Sequence, residues 1–163
     1  MSLEKEHIEK VRELTEKIDF CMMVTQEPDG NLRSRPMSTQ TVDDKGLFWF
    51  FTNEFSGKVK EIEEYPVVNL AYSEPGKNRY VSVTGVAEVV TDKAKVDELW
   101  DDVLKAWFPE GKDDPDLALV KVLPDEAEYW DGSSSKMVRL FKIGKALITG
   151  KTYDTGGNEK VDF

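Results

Sequence analysis

Cysteine and histidine are nearly absent from this sequence, and their scarcity excludes several kinds of chemistry. Cys21 is the single cysteine, so no disulfide can form within the chain, and a reducing compartment, the cytoplasm, is expected. His7 is the single histidine and lies in a charged amphipathic segment, whereas a catalytic triad or dyad needs a histidine in a cleft. Zinc sites need several such ligands, so no metal site is expected.

Long apolar runs and an excess of basic residues are also missing. No segment approaches the about 20 apolar residues that span a bilayer, and no apolar stretch of a secretory signal follows the N-terminus. The formal net charge is -10, which argues against nucleic-acid and anionic-membrane partners because both are bound by basic surfaces. A few arginines or lysines that converge in a cleft can still bind a small anion.

What the sequence does contain is typical of one globular domain. The 163 residues are 39% hydrophobic and 10% aromatic, which suffices for a single sizeable core over residues 1–163. The sequence contains no domain linker, no internal repeat and no glycine-rich nucleotide-binding fingerprint.

Short apolar segments bounded by turn residues predict a β-rich fold. Six strands are expected at residues 20–25, 32–42, 47–52, 67–72, 79–90 and 117–123, with a short seventh at 127–130. Apolar residues at helical spacing predict helices at 3–18, 56–65, 91–105 and 135–148, followed by an irregular tail at 152–163. Gly85, within the longest strand, indicates a bulge or bend. The fold class is therefore mainly β with α (α+β), an antiparallel barrel flanked by helices.

Basic and hydroxyl side chains near the second and third strands indicate an anion site. Arg33 and Arg35 alternate along one strand and therefore share a face with Met37. Ser56 and Lys58 lie at the start of a short predicted helix, whose free N–H groups and dipole favour a phosphate. An arginine fork, a hydroxyl and a lysine together suit a phosphomonoester. The same spacing also fits solvated arginines with a helix-capping serine, and both interpretations remain open.

Pro36 and the tryptophans bear on the surroundings of this site. Pro36 lacks an N–H, so it indicates an edge or an irregular ladder that leaves backbone groups free for a planar polar ligand. Trp100 and Trp107 lie on the apolar face of a predicted helix and are expected in the core. Trp130 lies in a polar segment, where the core, a subunit interface and the edge of a ligand cleft all remain open.

Short segments that match one known family occur in order along nearly the whole chain. They are Asp29-Gly30, Ser34-Arg35-Pro36-Met37, Trp49-Phe-Phe-Thr52, Ser56-Gly-Lys58, Tyr65-Pro-Val67, Asn78-Arg-Tyr-Val-Ser-Val-Thr-Gly85, Leu99-Trp100, Ala106-Trp-Phe-Pro109, Gly111-Lys-Asp-Asp-Pro115 and Ala127-Glu-Tyr-Trp130. Together they resemble the pyridoxamine 5′-phosphate oxidase-related, FMN-binding split-barrel proteins, and among these the group called general stress protein 26. No single segment is decisive, but the ordered set is specific.

The resemblance implies a six-stranded antiparallel split β-barrel that forms a homodimer, with FMN bound between the subunits. The implied cofactor-binding residues fall into a phosphate set and a ring set. The phosphate set is Arg35, Ser56 and Lys58, with Arg33 on the same strand face as a further candidate. The ring set is Pro36, Met37, Ser38, Phe51 and Thr52, with Trp130 approaching from the partner subunit.

Two departures from the true pyridoxamine phosphate oxidases bear on activity. Those enzymes carry a late Arg-x-His element that binds the substrate. No histidine follows His7 in this sequence, so vitamin B6 oxidation is not expected. Gly57 stands where they have a second phosphate-binding arginine, which predicts weaker phosphate binding.

The expected function is that of a stress-related FMN-dependent oxidoreductase with an unidentified small-molecule redox partner, in which the cofactor supplies the redox chemistry. One alternative is a flavin-binding carrier or sensor without turnover, favoured by the shortage of acid–base groups. Another is a haem-binding split barrel, which the lack of a cleft histidine disfavours.

Overall fold

The fold consists of three α-helices and seven β-strands within residues 3–53, 55–131 and 134–139, which the computed structural model describes. The helices are α1 (Leu3–Thr15), α2 (Gly57–Glu64) and α3 (Lys93–Leu99). The strands are β1 (Phe20–Gln26), β2 (Leu32–Val42), β3 (Phe48–Asn53), β4 (Val67–Glu74), β5 (Arg79–Val90), β6 (Leu117–Asp131) and β7 (Ser134–Arg139). Short 3₁₀ turns follow β4 and α3, at Pro75–Lys77 and Asp102–Ala106.

Six of the strands close into an antiparallel barrel. They are hydrogen-bonded in the order β3-β2-β1-β4-β5-β6, and a further pairing between β3 and β6 closes the ring. Every pairing is antiparallel. β7 pairs with the end of β6 that lies beyond the segment in contact with β3. The predicted six-stranded antiparallel barrel with flanking helices is confirmed.

The two halves of β2 pair with different strands, and this arrangement leaves one edge of the first half open. Residues 32–38 pair with β1, and the strand pairs with β3 from Thr39 onwards. Among the described strands only β1 pairs with the first half, so its other edge is open, as Pro36 predicted. A register shift between Thr39 and Thr41 marks the change of neighbour.

Apolar side chains at alternating strand positions fill the barrel. On β1 the inward residues Cys21, Met23 and Thr25 are buried while their neighbours are more exposed. Phe50 of β3 is fully buried, and α2 adds Ile62 to the same core. α2 thus packs its apolar face on the barrel, as the sequence predicted, and this fixes which of its polar residues turn toward β1 and β2.

β6 is one strand where the sequence predicted two. The interruption was expected at residues 124–126, where a proline and two acidic residues separate the apolar segments. Pro124 lies opposite Gly85, at a register shift in the pairing of β5 with β6. A bulge tolerates a residue without an N–H, so the strand continues through it. The bulge predicted at Gly85 is confirmed.

Two predicted helices differ from the structure. The helix predicted at 91–105 ends after Leu99, because the Asp101 carboxylate accepts a hydrogen bond from the Val103 N–H at 3.0 Å and starts a separate 3₁₀ turn. The helix predicted at 135–148 is wrong over residues 135–139, which lie in β7 and pair with β6. Pairing with an open strand edge overrides weak local periodicity there. Residues 140–148 and the predicted irregular tail at 152–163 lie outside the described residues.

Gly85 gives a test of the bulge. A Cβ added there would overlap the Leu123 carbonyl oxygen and lie 2.9 Å from the Pro124 Cα, both on the backbone of β6. Because backbone cannot move aside cheaply, Gly85→Ala is expected to lower the free energy of unfolding by about 1–3 kcal/mol. Urea denaturation measures the change. Gly76→Ala, where the new Cβ meets nothing within 4 Å, is the control and is expected to change stability by less than about 1 kcal/mol. Equal stability of both variants would contradict this geometry.

Candidate functional site

Arg35 points to the buried side of β2 and is held by two neighbouring elements. It pairs with Met23 of β1, so its side chain lies on the same face as the inward residues of that strand. Nη1 donates to the Thr25 hydroxyl at 2.8 Å, and Nη2 donates to the Glu61 carboxylate of α2 at 3.0 Å. The Thr25 hydroxyl in turn donates to the same carboxylate. Strand and helix therefore fix the guanidinium in one orientation.

Lys58 lies beside this cluster. Its Nζ donates to the Thr52 hydroxyl of β3 at 2.8 Å, and that hydroxyl lies 3.4 Å from the Ser56 hydroxyl. Ser56 is the N-cap residue of α2, yet within the described chain its side chain makes no capping hydrogen bond. The hydroxyl of Ser56 therefore turns toward Thr52, which favours the anion-site interpretation over a helix-capping role.

The electrostatics of Lys58 reflect its burial and its closeness to Arg35. Burial lowers the pKa of Lys58, and the nearby charge of Arg35 lowers it further. Both effects disfavour the charged ammonium group in the site as it stands. A negative charge bound beside Lys58 would favour its charged form.

A cavity of about 180 Å³ adjoins Lys58. Five of the predicted site residues line it, namely Pro36, Met37, Ser38, Phe51 and Lys58. The other lining residues are Phe20, Gln40, Leu104, Trp107 and Phe108. The walls are mostly apolar and aromatic and include one cation, Lys58, which suits a flat apolar ring that carries an anionic group.

Arg33 and Trp130 are the two predicted site residues that the fold keeps apart from this cluster within one chain. The Arg33 side chain is 62% exposed and lies 4.0 Å from the Glu27 carboxylate. Trp130 lies on β6, where Leu119 pairs with Phe51 and Trp130 follows eleven residues later. Trp130 does not line the cavity within the described chain.

Several residues at the site were not among the predicted ones, and Thr25, Glu61 and Trp107 are the most informative of them. Glu61 and Thr25 bind Arg35, and Trp107 lines the cavity. The prediction that Trp107 lies in the core is wrong, because the residue is 56% exposed. Glu61 follows Lys58 by three residues on α2, so helical spacing was the one signal that could have pointed to it.

Exposed apolar side chains lie at the cavity and beside it. Phe20 and Met22, on the outer face of β1, are 47% and 40% exposed, and Phe20 packs against Trp107 with ring centroids 6.2 Å apart. We call these three residues the apolar rim. Solvent-exposed aromatic and methionine side chains in a cluster are typical of an interaction surface.

A closed six-stranded antiparallel barrel, with a mostly apolar cavity beside Lys58, defines the class of split-barrel proteins. The chain belongs to the family described as pyridoxamine 5′-phosphate oxidase like, whose model matches residues 6–154. General stress protein 26 of Bacillus subtilis is 32% identical to it over 92 residues, which cover 55% of this chain and 65% of that protein.

Solved structures agree with this assignment. The general stress FMN/FAD binding protein of Xanthomonas citri is 30% identical with a TM-score of 0.62, over 83% of this chain and 93% of that one. A Clostridium acetobutylicum protein related to general stress protein 26 has a TM-score of 0.73 at 21% identity, over 83% of this chain and 96% of that one, and shares the fold. The resemblance seen in the sequence is confirmed.

The described part of the chain contains no group of three or more histidine, cysteine, aspartate or glutamate side chains that could hold a metal ion. No helix described here is long and apolar enough to cross a membrane.

Proposed function

We propose that this protein binds FMN, with the phosphate held by Arg35, Ser56 and Lys58. The observation that carries the proposal is the grouping of Lys58 with the Thr52 and Ser56 hydroxyls where Lys58 lines the cavity, with Arg35 close enough for its charge to lower the pKa of Lys58. The isoalloxazine ring would lie in the adjoining cavity, along Pro36–Ser38 and Phe51. The 30% identity to an FMN/FAD binding protein of Xanthomonas citri supports a flavin as the ligand.

The proposed ligand is FMN and not FAD, because Arg35, Ser56 and Lys58 form one compact group that matches a single terminal phosphate. A phosphomonoester presents two negative charges and three terminal oxygens to Arg35, Ser56 and Lys58. The pyrophosphate of FAD would continue past them and need a further pocket for the adenosine.

The proposal includes a homodimer that completes the cleft. The cavity of about 180 Å³ is smaller than the roughly 300–1,000 Å³ of typical ligand pockets, so one chain supplies only part of the site. The apolar rim beside it would be covered by a second copy, which would bring its own Trp130 toward the ring. A cytoplasmic location, expected from the single cysteine, belongs to the same proposal.

Flavin-dependent redox turnover is the further step of the proposal, and a carrier or sensor role is its alternative. Of the described side chains that line the cavity, Lys58 is the one with an acid–base group, so any turnover would rely on the chemistry of the flavin itself. Hydride acceptance at the flavin needs no protein acid, which keeps an oxidoreductase role open. Vitamin B6 is not the proposed substrate, because the late Arg-x-His element is missing.

The test compares FMN with riboflavin, which has the same ring without the phosphate. Titration of flavin fluorescence is expected to give FMN at least about 100-fold tighter binding than riboflavin, because the phosphate makes several charge-assisted hydrogen bonds. Equal affinities would refute the phosphate site. Sedimentation should give a dimer, and a stable monomer with full FMN affinity would refute the shared cleft.

Turnover is tested on the reconstituted protein. Reduction of the bound flavin by NADH or NADPH, followed by reoxidation by a defined acceptor, would support an oxidoreductase. A flavin that no nicotinamide donor reduces would favour the carrier or sensor.

A further inference from the structure

Glu61 places a negative charge where the proposed function needs positive charge. It is 9% exposed, and its carboxylate accepts hydrogen bonds from Arg35 at 3.0 Å and from the Thr25 hydroxyl. Buried carboxylates are costly unless they are paired, and Arg35 pairs with this one. The same guanidinium is the group that would receive the phosphate.

The three charged groups of the site are carried by two elements. Lys58 and Glu61 lie three residues apart on α2, on one side of the helix, and Arg35 comes from β2. Lys58 binds a hydroxyl, that of Thr52, while Arg35 binds a carboxylate. With both cations charged, the cluster carries a net charge of +1, and a phosphate dianion would bring it to −1.

The hydrogen bonds of Glu61 do not themselves require a charge. Arg35 and Thr25 each need an acceptor, and a glutamine amide oxygen would supply it in the same place. The negative charge adds attraction to Arg35 and repulsion of any incoming anion. Both effects of the Glu61 charge therefore weaken the binding of an anionic ligand to Arg35.

We propose that Glu61 limits the affinity of the site for a phosphomonoester, by neutralising Arg35 and repelling the ligand. The proposal rests on the proposed function, in which Arg35 and Lys58 hold the phosphate of FMN. Glu61 acts as an internal competitor for the guanidinium. It keeps the flavin exchangeable, and its charge serves ligand release and not folding.

The test is Glu61→Gln, with FMN and riboflavin titrated against each variant. Removal of one charge a few ångströms from the phosphate is expected to tighten FMN binding by a factor of about 10 and to leave riboflavin unchanged. Glu63→Gln is the matched control, because Glu63 is exposed on the same helix, and it is expected to leave both affinities unchanged. Glu61→Asp keeps the charge and is expected not to tighten FMN binding.

Several outcomes would overturn the proposal. FMN binding by Glu61→Gln that is unchanged or weaker would show that the residue only positions Arg35. Tightening by the same factor in Glu63→Gln would reveal a general surface-charge effect. Should Glu61→Gln fail to fold, Glu61→Met repeats the comparison without charge, and failure of both would make Glu61 a requirement of the fold.

The same titrations separate this proposal from the proposed function. Wild-type protein that binds FMN no tighter than riboflavin would refute the phosphate site itself. Wild-type protein that prefers FMN, with a preference that Glu61→Gln leaves unchanged, would refute only the role of Glu61.

Discussion

Replacing both Arg35 and Lys58 with alanine is expected to weaken FMN binding at least about 100-fold. A hydrogen bond to a charged group contributes about 1.5–3 kcal/mol, and each side chain would supply at least one to the phosphate. Riboflavin has no phosphate, so its affinity is expected to stay near that of the wild type. Fluorescence titration of both flavins measures the two affinities, and their ratio isolates the phosphate from the ring.

The chain offers a matched control for this experiment. Arg33 lies two residues before Arg35 on β2, and Lys60 lies two residues after Lys58 on α2, and both are exposed. The double variant Arg33→Ala with Lys60→Ala therefore removes the same charge from the same two elements. It is expected to bind both flavins as the wild type does. An equal loss of FMN binding in this control would mean that overall charge, and not the buried cluster, attracts the phosphate.

Loss of Arg35 is also expected to destabilise the fold, and this effect must be distinguished from the loss of phosphate binding. Without the guanidinium, the Glu61 carboxylate keeps only the Thr25 hydroxyl as a partner, and an unpaired buried carboxylate destabilises a protein by several kcal/mol. Adding Glu61→Gln to the alanine variant removes that charge and restores a neutral acceptor. If this triple variant is folded and still prefers FMN to riboflavin as the wild type does, the phosphate assignment is wrong.

The strands and the grouping of Ser56 with Lys58 followed from local sequence features, whereas the phosphate role of Arg35, Ser56 and Lys58 came from the family resemblance. β2 and β5 have the predicted bounds, Leu32–Val42 and Arg79–Val90, because alternating side chains and flanking turn residues are short-range signals. Strand parity alone put Arg35 on the same face as Met37, and the helix start brought Ser56 close to Lys58. Each of these inferences needs only residues that are neighbours in the chain.

What the sequence missed depends on contacts between distant elements. Thr25 and Glu61 meet at Arg35 because β1, β2 and α2 converge, and no local pattern encodes that convergence. Trp107 fits the apolar periodicity of a long helix, but the separate turn begun by Asp101 rotates it out toward the cavity mouth. Tertiary packing decides such positions, and it overrides propensity most often where a site forms between elements.

Phe50→Ala is expected to lower the free energy of unfolding by about 3–5 kcal/mol, a large part of the about 5–15 kcal/mol typical of a domain. Phe50 is fully buried on β3, the strand that pairs with both β2 and β6 and so closes the ring. Truncation of Phe50 leaves a void inside the barrel. Because the hydrogen-bonded strands fix the width of the barrel, neighbouring side chains have little freedom to fill that void. Urea denaturation at fixed protein concentration measures the loss.

The consequence for ligand binding follows from the position of Phe50 in the strand. Phe51 lines the cavity and Thr52 binds Lys58, so the residues directly after Phe50 carry part of the site. Phe50→Ala is therefore expected to weaken FMN and riboflavin alike, unlike the removal of Arg35 and Lys58. Phe55→Ala, at a position 69% exposed, is the control and is expected to change stability by less than about 0.5 kcal/mol. A loss below about 1 kcal/mol in Phe50→Ala would mean that β3 can shift to fill the void. The same shift would move Phe51 and Thr52. A rigid β3 would then not be what holds the cavity next to Lys58.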